Sequence, residues 1–286
     1  SGWYCLGRQS CCLRIRRCRA FSAVRKANCR RAAFVAVPSL KIGYADQFKA
    51  IAEKVVWASL DLVLPPRCQN CGHPGERLCP KCRAEIEYIS EPVCQQCGYP
   101  QSAPTAVHCE QCRRVRFLGS GLRSLAFHAG PLRRAVHGLK YKHNPPLSET
   151  LALLISQHWP AAFPVDSILL PVPLSPDRLR ERGFNQAELL ARHVGMRRRL
   201  PVWPTALRRV RSTESQVGKT ALARQANMAG AFAADAGKAR GRNFILIDDV
   251  CTTGATLGAC AEALLEVGAR QVWAYTLTRA RHDSAD

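Results

Sequence analysis

Residues 244–256 read Phe244-Ile-Leu-Ile-Asp-Asp-Val-Cys-Thr-Thr-Gly-Ala-Thr256. Four consecutive apolar residues, Phe244 to Ile247, predict a short strand buried on both faces, as in a parallel sheet. The strand is expected to end in two adjacent carboxylates, Asp248 and Asp249. A loop of Thr252, Thr253, Gly254, Ala255 and Thr256 follows. Leu257 to Val267 then reads as a helix, with Leu257, Ala261, Leu264 and Leu265 on one face and Gly268 as its stop. Hydroxyls and a glycine at a helix start make an anion cradle. Free backbone N–H groups and the helix dipole favour negative charge there, and a glycine lets the anion approach the backbone. Paired acids at the carboxyl end of a strand lie where open α/β sheets bind ligands. They suit vicinal ribose hydroxyls as acceptors and help orient Mg²⁺. Cys251, inside this stretch, is given no role.

Upstream, Ile168-Leu-Leu-Pro-Val-Pro-Leu174 reads as a second strand entering a proline-rigid turn. Arg178, Arg180 and Arg182 follow, then Gly183-Phe-Asn-Gln186. A guanidinium offers a planar fork for phosphate oxygens, so Arg178 and Arg182 are candidate anion contacts. Lys140 and Lys142 are within the same reading. Residues 117–142 are expected to be a hydrophobic, Arg-containing connector into the α/β pattern. Gly218-Lys219-Thr220 ends like a nucleotide-binding P-loop. Position 213 is Thr, where that motif needs its first glycine, and no strand precedes it.

Eight of the fifteen cysteines form four C-x-x-C pairs. Cys68, Cys71, Cys79 and Cys82 make one unit; Cys94, Cys97, Cys109 and Cys112 make another. Zn²⁺ takes four tetrahedral thiolates, and two C-x-x-C turns close that shell. The spacing argues for metal in a reducing compartment rather than disulfides. Gly72 and Gly98 follow the first pair of each unit, where a positive φ turns backbone N–H groups toward the thiolates. His73 and His108 are expected at the surface or just outside the thiolate shell, since each unit already has four Cys. A closed shell leaves no place for substrate, so both zinc sites are expected to be structural. A Cys71 substitution is expected to leave the anion site intact.

The chain carries 42 Lys+Arg against 21 Asp+Glu, a formal charge of +21. Residues 1–45 contain no acid and ten of the bases; the remainder is still +11. Such a field favours polyanions: phosphorylated small molecules, nucleic acid or anionic membrane. Residues 1–45 lack acids as transit peptides do, but have little Ser and no regular amphipathic period. They are expected to be a disordered or weakly helical, dispensable extension, in the manner of translated upstream sequence. Phe48, Ile51, Val55 and Leu62 then recur near helical spacing until Pro65-Pro66, predicting a helix over 46–66. No stretch approaches the roughly 20 apolar residues of a membrane span, so a soluble, cytoplasmic protein is expected.

The 244–256 stretch resembles the signature of type I phosphoribosyltransferases, which bind phosphoribosyl pyrophosphate (PRPP). By that resemblance Asp248 and Asp249 are the catalytic pair that holds the ribose. Thr252, Thr253, Gly254, Ala255 and Thr256 wrap the 5′-phosphate, and Arg178 and Arg182 contact the pyrophosphate with its Mg²⁺. The Arg-Gly-Phe-Asn-Gln run, Leu139-Lys-Tyr-Lys142, Arg211-Ser-Thr-Glu-Ser-Gln216, Arg224-Gln-Ala-Asn-Met-Ala-Gly-Ala-Phe232 and the cysteine units together resemble the ComF family, over roughly residues 57 to 280. That family is linked to bacterial competence and gluconate utilisation. The resemblance implies an α/β fold: a type I phosphoribosyltransferase-like parallel sheet flanked by helices, over 114–286, behind a double zinc ribbon at 67–113. Two functions follow. One is a phosphoribosyltransferase moving phosphoribosyl to a nitrogen acceptor. The other is a non-catalytic PRPP-, nucleotide- or single-stranded-DNA-binding accessory of DNA uptake, with a helicase-type partner.

Overall fold

The computed structural model describes residues 65–281 apart from 103–106, 115–116, 142–143 and 212–226. The expected 1–45 extension, the 46–66 helix up to residue 64, Lys142, residues 212–216, the Gly218-Lys219-Thr220 decoy and residues 224–226 lie outside the described residues. Those described belong to one unit, Gly43–Asp286. In chain order its elements are α1 (Pro80–Ala84), α2 (Glu110–Arg114), β1 (Gly121–Phe127), α3 (Gly130–Tyr141), α4 (Leu147–Gln157), β2 (Ile168–Pro171), α5 (Pro176–Arg182), α6 (Gln186–Arg198), β3 (Leu207–Arg209), β4 (Phe232–Ala234), α7 (Ala236–Ala239), β5 (Asn243–Cys251), α8 (Ala255–Glu266) and β6 (Gln271–Arg279).

Four strands form one parallel sheet in the order β1-β6-β5-β2. β3 and β4 pair separately and antiparallel. The continuous apolar runs Phe244–Ile247 and Ile168–Leu170 are buried because helices cover both faces of the sheet. On one face Ile245, Ile247, Tyr275 and Leu277 meet α3, α4 and α6. On the other, Phe244, Leu246 and Ala274 meet α8 and the β3–β4 pair. This is the expected three-layer α/β arrangement.

Three boundaries differ from the sequence reading. β5 runs on through Cys251, because parallel pairing of Asp248 with Thr276 and of Cys251 with Arg279 continues whatever the side-chain polarity. The last helix starts at Ala255 instead of Leu257, since Gly254 already supplies its N-cap. It ends as read: Gly268 at φ +90° donates to Leu265, and Ala269 donates to Leu264, a Schellman stop. The stretch read as a connector instead holds the edge strand β1 at Gly121–Phe127 and helix α3 at Gly130–Tyr141.

The exposed edge of β1 is closed by residues 87–89. Ile89 N donates to the Leu125 carbonyl and Phe127 N to the Glu87 carbonyl, both at 3.0 Å. This short antiparallel pairing protects a strand edge that would otherwise recruit other chains.

Candidate functional site

At the carboxyl end of β5, side-chain alternation sends Asp248 and Asp249 to opposite faces of the sheet. Asp249 is buried, and Lys140, in the last turn of α3, places its Nζ 2.8 Å from Oδ1 of Asp249. The Oδ1 of Asp248 accepts from the backbone N of Asp249 at 2.8 Å. Burial, and then the charge of Asp249, push Asp248 up to about 7, while Lys140 and Arg182 pull the other way. On β6, Thr278 Oγ1 donates to the Asp249 carbonyl at 3.1 Å and lies 2.9 Å from His128 Nδ1. Burial, followed by Lys140, lowers the His128 pKa below its ordinary value.

The phosphate-type turn is local in origin. Gly254 takes φ +81°, a left-handed conformation that side-chain-bearing residues avoid, and so reverses the chain from strand into helix. Thr253 Oγ1 accepts from Ala255 N at 3.4 Å, and the first regular helical bond runs from Gly258 N to the Gly254 carbonyl at 2.8 Å. Thr252 is exposed, and Thr253, Gly254, Ala255 and Thr256 are partly exposed, so this turn lies at the surface, and the first amides of a helix lack partners within it. Cys251 is buried behind this turn, beside Gly254.

The Arg-Gly-Phe-Asn-Gln run has a clear local logic. Ser175 caps α5, and Pro176 occupies its first turn. Gly183, at φ +74°, ends it. Asn185 caps α6, accepting from Ala187 N at 3.0 Å, and its Nδ2 donates to the Val172 carbonyl at 3.0 Å. One side chain thus fixes a helix start to the end of β2. Gln186 is buried, and its Oε1 accepts from Arg182 Nη1 at 3.2 Å. The Arg182 guanidinium lies 5.2 Å from the Tyr141 ring centroid. Arg182 Nε and Gln186 Nε2 are buried with no hydrogen-bond partner among the described residues.

The two arginines proposed from sequence therefore separate. Arg182 is buried on the side of Tyr141 and contributes to the field at Asp248. Arg178 is exposed, and its charge acts on Arg209 of β3. Tyr141, His128, Thr278 and Arg279 were not singled out from sequence, although Lys140-Tyr141 lay in a quoted motif.

The cysteines group as read. In each unit the four Sγ atoms lie within 4.8 Å of one another. Cys71–Cys79 and Cys97–Cys109 are 3.7 and 3.6 Å apart, against about 3.8 Å for two thiolates on a tetrahedral Zn²⁺. The two units repeat one hydrogen-bond pattern. Cys68 N donates to the His73 carbonyl and Cys94 N to the Tyr99 carbonyl, both at 2.8 Å. Gly72 N bonds the Cys68 carbonyl as Gly98 N bonds that of Cys94, and the glycines take φ +76° and +68°. Cys79 N points at Cys68 Sγ and Cys109 N at Cys94 Sγ. The sites fit structural Zn²⁺. His73 and His108 are exposed and join neither cluster.

Both units are docked on the α/β layer. The first shares the core of α3, and a Cβ on Gly138 of that helix would meet the Gln69 side chain at 2.5 Å. The second bonds to the start of β1, Leu122 N donating to the Gln96 carbonyl at 2.8 Å. Among the described residues no helix is long and apolar enough to cross a membrane.

The double zinc ribbon domain family matches residues 59–113, and the phosphoribosyl transferase domain family matches residues 180–286. The chain is 30% identical over 236 residues to competence protein ComFC of Bacillus subtilis, covering 80% of this chain and 91% of that protein. It is 29% identical over 217 residues to DNA utilization protein YhgH of Escherichia coli K12, covering 74% and 88%. Among solved structures it is similar to adenine phosphoribosyltransferase of Saccharomyces cerevisiae, with TM-score 0.31 and 16% identity over 49% of this chain and 72% of that one. Two Cys₄ units joined to a phosphoribosyltransferase-type sheet, in a chain that matches ComFC over most of both lengths, make this protein a member of the ComF family.

Proposed function

We propose that the chain binds PRPP, or a ribonucleotide carrying a 5′-phosphate, at the carboxyl end of β5. The observation that carries this reading is the left-handed Gly254 turn opening α8 directly after the Asp248-Asp249 pair. A phosphate suits the first-turn amides and hydroxyls of 252–256, where the helix dipole favours it. Vicinal ribose hydroxyls suit the acids, which on their own would repel a phosphate. Lys140 and Arg182 supply positive charge near the acids, as a 1-pyrophosphate would require.

In the catalytic form of this reading, the bond from ribose C1 to pyrophosphate breaks and a bond to an acceptor nitrogen forms. Pyrophosphate leaves with the electron pair. The protein's share is positioning and charge stabilisation. Asp248 and Asp249 orient the ribose, and Lys140 and Arg182 balance the departing charge. Mg²⁺ would accompany the pyrophosphate as its counter-ion and lower the charge of the leaving group.

A second reading keeps the binding and drops the transfer. The chain would then be an accessory of DNA handling, binding nucleotide or single-stranded DNA beside a helicase-type partner. The names of its relatives, competence protein and DNA utilization protein, favour it, as does the +11 charge of residues 46–286. Pyrophosphate release from PRPP, measured with a panel of nitrogenous bases, separates the two. Release with one base supports transfer. PRPP binding by calorimetry without release supports the accessory role, and no PRPP binding overturns the site.

A further inference from the structure

The second zinc unit touches the candidate phosphate turn by two routes. The first is backbone packing. A Cβ on Gly98 would lie 2.6 Å from the Leu122 carbonyl oxygen, so the zinc turn sits directly on β1. The Leu122 side chain in turn lies against Gly254, where an added Cβ would meet its Cδ2 at 3.6 Å. The second route is Arg279. It is 1% exposed, its Nη1 donates to the Cys97 carbonyl, and its guanidinium lies 5.4 Å from the Tyr99 ring centroid. In the sheet Arg279 stands opposite Cys251, and Ala280 N donates to the Cys251 carbonyl at 2.8 Å. The phosphate turn begins at the next residue.

A buried guanidinium stays protonated and needs a compensating charge. Among the described residues no carboxylate pairs with Arg279, and its Nε has no hydrogen-bond partner. Four thiolates on Zn²⁺ carry a net charge of about −2. The filled Cys94/Cys97/Cys109/Cys112 shell is thus the counter-charge within reach, and Arg279 bridges from the Cys97 carbonyl to the strand position opposite Cys251.

We propose that the second zinc unit is a working part of the phosphate site, with Arg279 as the positioning residue that couples them. The filled Cys₄ shell holds Arg279, and Arg279 with Leu122 holds the Cys251–Gly254 turn in its anion-binding form. The first unit docks on α3 instead, and among the described residues no hydrogen bond joins it to the 251–254 turn. The inference rests on the reading of 252–256 as a phosphate site. It goes beyond that reading in making occupancy of one zinc site a condition of anion affinity.

The test uses the full chain with both zinc sites filled. Calorimetry with PRPP and with inorganic phosphate is run on wild type, Arg279→Met and Arg279→Lys, alongside zinc analysis. Arg279→Met is expected to lose about tenfold or more in affinity for both ligands. Arg279→Lys, which keeps the charge, should recover part of that loss. Equal affinity in wild type and Arg279→Met overturns the coupling and leaves the phosphate site standing. A wild type that binds neither ligand overturns both. Should Arg279→Met fail to fold, linkage in the wild type decides the matter, because coupling between sites is reciprocal. Saturating PRPP should raise the affinity of one of the two zinc ions, measured against a competing chelator, by a similar factor. Unchanged affinity of both, with PRPP bound, overturns the proposal.

Discussion

Lys140 Nζ and Asp249 Oδ1 are 2.8 Å apart, with side chains 20% and 7% exposed. One of the two acids of the candidate site is therefore paired with a cation before any ligand arrives, and that partner lies 109 residues away in sequence. Removing the cation leaves a buried carboxylate without a counter-charge. Lys140→Met is expected to destabilise the fold by about 3 kcal/mol. Chemical unfolding measures this, and a loss well below about 1 kcal/mol would mean that solvent screens the pair.

Among the described residues Asp248, unlike its neighbour, has no cation at salt-bridge distance, and Lys140 and Arg182 act on it from further off. With its pKa pushed up to about 7, it is largely protonated in mildly acidic solution. The sign follows from linkage. A raised folded pKa stabilises the fold below the unfolded value of about 4, and that contribution is lost as pH rises through about 7. A ribose held by the ionised acid reverses the preference, so binding should expel a proton. PRPP affinity is expected to climb as pH rises to about 7 and then level off. Calorimetry near pH 6.5 in buffers of different ionisation heat should register release on the order of one proton. Asp248→Asn should abolish it.

Much of this site was legible because its chemistry is contiguous. The anion turn, the two acids and all eight cysteines announce themselves by local spacing. What escaped was set by long-range packing. The acids interrupt the apolar run of β5, yet the backbone ladder continues past them to Cys251. Arg178 and Arg182 look equivalent in sequence, but only the one next to Gly183 is buried, beside Gln186 and Tyr141. Arg279 reads as an ordinary charge at a strand end, and its partner Cys97 lies 182 residues away.

The acids and the turn should fail separately. Asp248→Asn with Asp249→Asn removes the charge-assisted acceptors for ribose and leaves the amides of 252–256 in place. PRPP affinity is expected to fall by roughly 1.5–3 kcal/mol per bond lost. Inorganic phosphate, which has no ribose and is repelled by the acids, should bind at least as tightly as before. Equal PRPP affinity in the double variant and wild type would refute the assignment of these residues.

Metal content tests the cysteine units directly. Two zinc ions per chain are expected in protein purified under reducing conditions. The first unit contributes Cys68, Cys79 and Cys82 to the core shared with α3, so its loss should register in the stability of the whole layer. Strong chelation should therefore lower the unfolding midpoint as well as strip metal. A folded sample with zinc near zero contradicts the ribbon reading.

Gly254 offers the sharpest single-residue test of the turn. Its φ of +81° lies where an L side chain costs about 1–2 kcal/mol, so the expense of substitution is conformational. Crowding adds little, because an added Cβ would find Leu122 Cδ2 at 3.6 Å and Cys251 Sγ at 3.9 Å, both ordinary contacts. Gly254→Ala should thus fold, with a stability loss of about 1–2 kcal/mol. The strained turn can relieve itself by rotating the peptide that aims the first-turn amides. Affinity for PRPP and for inorganic phosphate should then fall together, unlike the double Asn variant, which loses only the first. Gly254→Val should be worse on both counts, since a β-branched side chain is stiffer at this φ. Paired titrations with the two ligands separate these patterns. A Gly254→Ala variant that binds phosphate as wild type does, while losing the expected stability, would place the anion elsewhere than on the 252–256 turn.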